Sequence, residues 1–158
     1  MKTIRLTKNK LALVDDDDYS NLIKYRWHSV EGSRNWYAGG TINGKPIAMH
    51  RLILNAPSDK EVDHINGNGL DNRKNNLRLC TRQQNTWNSR RNRKGNTRYK
   101  GVVYCKKTEK FSISLKGGCY DTAEQAALIY NHIAQILYGE FARLNRIKYS
   151  SSSFDPCI

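Results

Sequence analysis

Cysteine is scarce in this chain and is spaced wrongly for a metal knuckle. Cys80, Cys105, Cys119 and Cys157 lie 25, 14 and 38 positions apart, so no CxxC pair exists. That spacing excludes a four-thiolate zinc site and predicts free thiols in a reducing compartment. Only 3 prolines occur, and no apolar run approaches the ~20 residues that a membrane-spanning helix needs. The start, Met-Lys-Thr-Ile-Arg-Leu, leads into strand-like alternation instead of a signal-peptide core. These absences set aside collagen-like, disulfide-rich and membrane classes and predict a soluble, cytoplasmic chain. Acids are few as well: 14 Asp plus Glu stand against 27 Lys plus Arg, a net charge of +13 over 158 residues. Such an excess calls for a polyanionic partner. A membrane surface would need a basic amphipathic helix, which the sequence lacks, so nucleic acid is the expectation.

The charge is unevenly placed. Residues 89–101 hold six bases and no acid, Arg90, Arg91, Arg93, Lys94, Arg98 and Lys100, among Asn, Ser, Thr and Gly. This composition reads as a basic linker that touches phosphates. Before it, 3–14 reads as two short strands around Lys8-Asn9-Lys10, and 15–25 as a helix whose four leading aspartates suit the positive end of its dipole. Consecutive carboxylates at a helix entry diverge, so that run makes a poor cation site. Residues 36–42 and 45–49 flank Asn43-Gly44, a strong hairpin signal. After the linker, 99–104, 110–115 and 118–121 read as three strands. Phe111, Ile113 and Leu115 lie on one face there, with Ser112, Ser114 and Lys116 on the other. A helix follows, opened by the Thr122/Gln125 capping box, striped by Ala123, Ala126, Ala127, Tyr130, Ile133, Ala134 and Leu137, and closed at Gly139. The tail from 150 to 153 reads as disordered.

The stretch from Glu61 to Asn85 carries the chemistry. It places an Asp63-His64 pair at a strand end, then a loop with two Asn-Gly turns. A short strand 77–80 and a helix opened by the Thr81/Gln84 capping box complete it. The order is β, β, α. Delivered to one side of the helix's first turn, Asp63 and His64 would face Asn85 across a gap suited to one divalent ion. Oxygen ligands suit a hard cation, so Asp63 and Asn85 are candidate ligands for Mg²⁺ or Mn²⁺. His64, titrating near neutrality, is the candidate base that takes a proton from an attacking water. Asn76 is placed behind it, to pin the loop or to hold the imidazole.

Residues 49–88 resemble the HNH nucleases, in particular the phage and intron-encoded homing endonucleases, whose pattern reads DHxxG, DNxxxNLRxxT and N. His64, Asn76 and Asn85 fall at the three signature positions, with Asp63, Asp71, Asn72, Leu77, Arg78 and Thr81 in the surrounding pattern. Asn85 stands where the name-giving motif has His. Residues 98–146 have their own likeness. Tyr99-Lys100-Gly101-Val102, the Thr122-to-Ala127 block and Phe141-Ala142-Arg143-Leu144-Asn145 look like the APETALA-type (ethylene-response-factor) DNA-binding domain, whose sheet enters the major groove. That likeness implies DNA contact from Lys100, Val103, Cys105, Ser114 and Lys116, with phosphate contacts from Lys106, Lys107, Lys110 and Lys116.

The expected architecture is therefore α+β. A β-rich region 1–48, a ββα-metal nuclease motif 49–88, a basic linker 89–98, an APETALA-type domain 99–146 and a disordered tail 147–158 follow in order. The expected function is metal-dependent cleavage of double-stranded DNA by a monomer in a bacterial or phage-infected cell. Two alternatives stay open: a DNA-binding regulator with a decayed site, and a packaging protein that uses charge alone.

Overall fold

The computed structural model describes residues 1–33, 35–90, 95–115 and 117–147. It forms two compact units, Met1–Ser89 and Arg90–Ile158. The residues 1–48 and 49–88 lie together in the first unit, and one apolar core serves both, since Met49 packs with Ile4, Val14, Leu22, Trp27 and Ala38.

In the first unit β1 (Lys2–Arg5) and β2 (Leu11–Val14) pair antiparallel through a turn in which Lys8 and Asn9 take φ of 54° and 53°. Helix α1 (Asp16–Leu22) has three aspartates in its first turn and stops short of the expected Tyr25. At that end the Trp27 indole donates to the Leu22 carbonyl at 2.8 Å, satisfying one of the acceptors a helix terminus leaves open. Strands β3 (Trp27–Glu31), β4 (Trp36–Ile42) and β5 (Lys45–Ala48) make an antiparallel sheet in that order. Asn43 and Gly44 take φ of 50° and 76° between the last two, as a two-residue hairpin requires.

The short α2 (Met49–Ile53) follows directly. Its first residue is fully buried, a placement that stabilises by roughly 1.5–3 kcal/mol. Strand β6 (Glu61–His64) then pairs antiparallel with β7 (Leu77–Cys80), and α3 (Arg82–Trp87) begins at a complete Thr81/Gln84 capping box. The loop between β6 and β7 is tied to the edge of β2. Leu13 N–H donates to the Leu70 carbonyl, and Asn72 N–H donates to the Leu13 carbonyl, both at 2.8 Å. The N-terminal hairpin thus fixes the loop that the site depends on.

The second unit holds β8 (Val102–Cys105), β9 (Lys110–Ile113) and β10 (Cys119–Tyr120) in the order β10-β9-β8, with α4 (Ala123–Tyr138). The first strand starts later than expected because Gly101, at φ 71°, turns the chain where any Cβ would run into the Tyr130 ring. The core joins Tyr99, Val102 and Ile113 to Ala126, Ala127, Tyr130 and Ala134. Leu137 departs from the expected stripe: it is 57% exposed, and Tyr138 packs on the core instead. The helix ends at Gly139, φ 53°. The expected disordered tail lies outside the described residues from 148 onward. No helix of the described residues is long and apolar enough to cross a membrane.

Candidate functional site

Strand register sets the first contact. Asp63 on β6 stands opposite Arg78 on β7, and the guanidinium donates to Asp63 Oδ2 through Nε at 2.9 Å and a terminal nitrogen at 2.7 Å. Asn88, just after α3, donates its amide to both Asp63 oxygens at 2.9 and 3.0 Å and also reaches the His64 and Ile65 carbonyls. Asp63 is only 5% exposed, so this pairing is what makes its charge tolerable there. A carboxylate offers about four acceptor positions. Oδ1 receives the Asn88 amide.

His64 is equally enclosed, at 5% exposure. Burial pushes its pKa below the ordinary value, against the raising influence of Asn72, Asp63 and Asp71, so the ring is neutral at pH 7. Its Nε2 lies 3.4 Å from Asn72 Oδ1. With that oxygen as acceptor Nε2 carries the proton, which leaves Nδ1 as the basic nitrogen. Asn76 does not hold the imidazole. Its Oδ1 accepts from Asn66 N–H at 2.9 Å and its amide donates to the Asp71 carbonyl at 2.7 Å, so it pins the loop. Asp71 closes the same loop, held below the usual carboxylate range chiefly by its hydrogen bonds from Arg73.

Asn85, on α3, is tied to the start of β6. Its amide donates to Glu61 Oε2 at 2.7 Å, and no hydrogen bond joins it to Asp63 among the described residues. This bond orients the side chain through its amide nitrogen. Glu61 and Asn85 line a groove of about 750 Å³ together with His50, Arg51, Tyr37 and the outer face of β3–β5. His50 packs edge-on against His64, ring centroids 5.0 Å apart, and Tyr37 contacts both rings. Burial above all, then the neighbouring His64 and Arg51, push the His50 pKa down to about 4. No group of three or more His, Cys, Asp or Glu suited to a metal occurs among the described residues. The donors present, a carboxylate oxygen and an amide oxygen, suit a hard cation that keeps water and substrate oxygens as its other ligands.

Residues 55–87 match the family model described as HNH endonuclease, a span that includes β6, the loop, β7 and α3. A protein of Acanthamoeba polyphaga mimivirus named as an uncharacterized HNH endonuclease is 36% identical over 150 residues, covering 90% of this chain and 78% of that one. The chain belongs to the HNH endonuclease family. Protein 3.8 of Escherichia phage T7 is 31% identical over 94 residues, 55% of this chain and 77% of the phage protein. No solved structure matches.

The HNH signature residues therefore lie in one unit, His64 at the end of β6, Asn76 just before β7 and Asn85 on α3. Sequence reasoning missed Glu61, Asn72 and Asn88 as partners, and left His50 undecided. Asn72 and Asn88 lie within the stretches that carry the family likeness or just after them, but only packing shows what each amide touches. Among the candidate DNA contacts, Lys106, Lys107, Lys110 and Ser114 are exposed in the second unit, on the β8–β9 turn and along β9 and its end. Lys110 pairs with Asp121 at 3.2 Å and Arg98 with Glu124 at 2.7 Å. Arg90, Arg98, Lys100, Arg143 and Arg146 line a cleft of about 220 Å³, where burial and the Arg143 charge push Lys100 down to about 8. Arg91, Arg93, Lys94 and Lys116 lie outside the described residues.

Proposed function

We propose that this HNH endonuclease is a divalent-metal-dependent, homing-type DNA nuclease. On this reading a ββα-metal centre in its first unit is brought to double-stranded DNA by an APETALA-like sheet in its second. The observation that carries the reading is the neutral, enclosed His64, held by Asn72 next to Asp63 on the strand that also presents Glu61 to Asn85. Asp63 Oδ1 and Asn85 Oδ1 would hold Mg²⁺ or Mn²⁺. When bound, the ion stabilises charge developing on phosphate and on the leaving oxygen. His64 Nδ1 takes a proton from the attacking water, and Asn72 keeps the other ring nitrogen protonated. Asn76 holds the loop in the shape that presents the ring. Arg90, Arg91, Arg93, Lys94, Arg98, Lys100, Lys106, Lys107, Lys110, Ser114 and Lys116 are the proposed DNA contacts. One such centre per monomer nicks a single strand.

A second reading, DNA binding without cleavage, draws on the Arg78–Asp63 ion pair, which already engages the proposed metal ligand. Nicking of supercoiled plasmid with Mg²⁺ or Mn²⁺ separates the two. The nuclease reading expects EDTA to stop the reaction. It expects His64→Ala to lower the rate about 10² to 10⁴-fold with DNA affinity retained. It also expects Asp63→Asn and Asn85→Ala each to raise the metal concentration required. Tight DNA binding without nicking at any metal concentration would establish the second reading instead.

A further inference from the structure

Three consecutive residues of α2 have three different surroundings. Met49 is wholly buried in the core. Arg51 spends its guanidinium on the carbonyls of Lys60, Ala56 and Pro57 at 2.8, 3.1 and 2.7 Å, bracing the loop that leads into β6. His50, between them, turns to the groove shared with Glu61 and Asn85 and lays its ring against His64 and Tyr37. Helix, core and loop together hold this imidazole in place.

The ring's two nitrogens differ. Nδ1 is enclosed by protein and meets no hydrogen-bond partner, so Nε2 is the nitrogen left to the groove that His50 lines. A neutral ring carries one proton, and buried donors without acceptors are rarer than buried acceptors without donors. The proton therefore belongs on Nε2, which becomes a hydrogen-bond donor in the groove that Asn85 also lines. Packing alone does not need an imidazole here, because a phenyl ring would fill the same place against Tyr37 and His64.

We propose that His50 is a second catalytic imidazole of the centre, its Nε2–H donating to a non-bridging oxygen of the phosphate that is cut. This rests on the nuclease reading above and adds to it a donor that neither the signature positions nor the proposed metal ligands include. A neutral donor suits the place. It stabilises charge building on the phosphate without a cation's repulsion of the nearby metal, which an arginine or lysine would introduce.

The test uses the full-length chain on duplex DNA with saturating Mg²⁺, comparing His50→Phe, His50→Gln and His50→Asn. Phe keeps the packing and removes the donor. Gln can place an N–H near Nε2, whereas Asn reaches only as far as Nδ1. The expected result is a loss of about 10²-fold in kcat for Phe, with DNA Kd, metal requirement and melting temperature close to wild type. Gln should recover about tenfold of that loss and Asn little. His50→Phe cleaving within about threefold of wild type overturns the proposal, as does a loss that excess metal restores. Equal activities of the Gln and Asn variants also overturn it, and that comparison stands even if the Phe variant fails to fold. A wild type that nicks, and fails to nick after His64→Ala, while His50→Phe still nicks, sinks this inference and leaves the nuclease reading standing. A wild type that nicks nothing sinks both.

Discussion

The two units bury different things. In Met1–Ser89 the buried residues include Ser29, Asp63, His64, Asp71, Asn72, Asn76 and Asn88, while in the other unit every buried residue among those described is apolar. Burying polar groups is costly unless each finds a partner. Asp63, Asp71, Asn76 and Asn88 each have one, and on the nuclease reading this network holds the proposed site in place. The second unit uses a small apolar core to present a lysine-bearing turn and strand to solvent, which suits contact with phosphates.

The largest effect expected from this contrast is at the Arg78–Asp63 pair, whose side chains are 11% and 6% exposed. Removing one partner of a buried pair leaves an uncompensated charge, at about 3–5 kcal/mol. Arg78→Ala should lower stability by about that much in urea denaturation of the metal-free chain. An unchanged midpoint would mean that Asn88 alone satisfies Asp63, and the polar network would be looser than its distances imply.

A second effect comes from pH. His50 is held at about 4 in the folded chain against an ordinary 6.5. Between those values the unfolded chain binds more protons, so stability rises with pH through this window. The contribution is fully present above pH 6.5 and is lost as pH falls toward 4, on the order of 3 kcal/mol. Burial lowers His64 too, and adds to it in the same direction. Urea denaturation at pH 7.5, 6.5, 5.5 and 4.5 measures the slope, and His50→Phe should remove its part. A slope left unchanged by the substitution would place the titration elsewhere.

The smallest effect belongs to the second unit. Changing Lys106 and Lys107 singly to Gln should leave the melting temperature within about 1 °C, since exposed positions contribute little. Each lost phosphate contact should flatten log K against log salt by about 0.9. Loss of fold, or an unaltered salt slope, would break the assignment of binding to this surface.

Some of this was legible in the order of residues. Asn43-Gly44 announces its hairpin, Thr81/Gln84 and Thr122/Gln125 announce their helices, and the spacing of His64, Asn76 and Asn85 announces the nuclease motif. Each depends on interactions a few residues apart, or on a pattern that travels with the family. The five-residue α2 could not be read this way, because it is too short for a helical period. The sequence alone also determined the basic charge, which suits a nucleic-acid substrate. Tertiary structure alone decided that Asn72 and not Asn76 meets the imidazole, and that Asp63 answers to Arg78 and Asn88. It also decided that Asn85 turns to Glu61 and that His50 joins the groove. An asparagine or histidine has much the same local preferences whichever neighbour it meets. Its partner is chosen only when the core around Met49 and the ties from Leu13 to the β6–β7 loop bring distant strands and helices together.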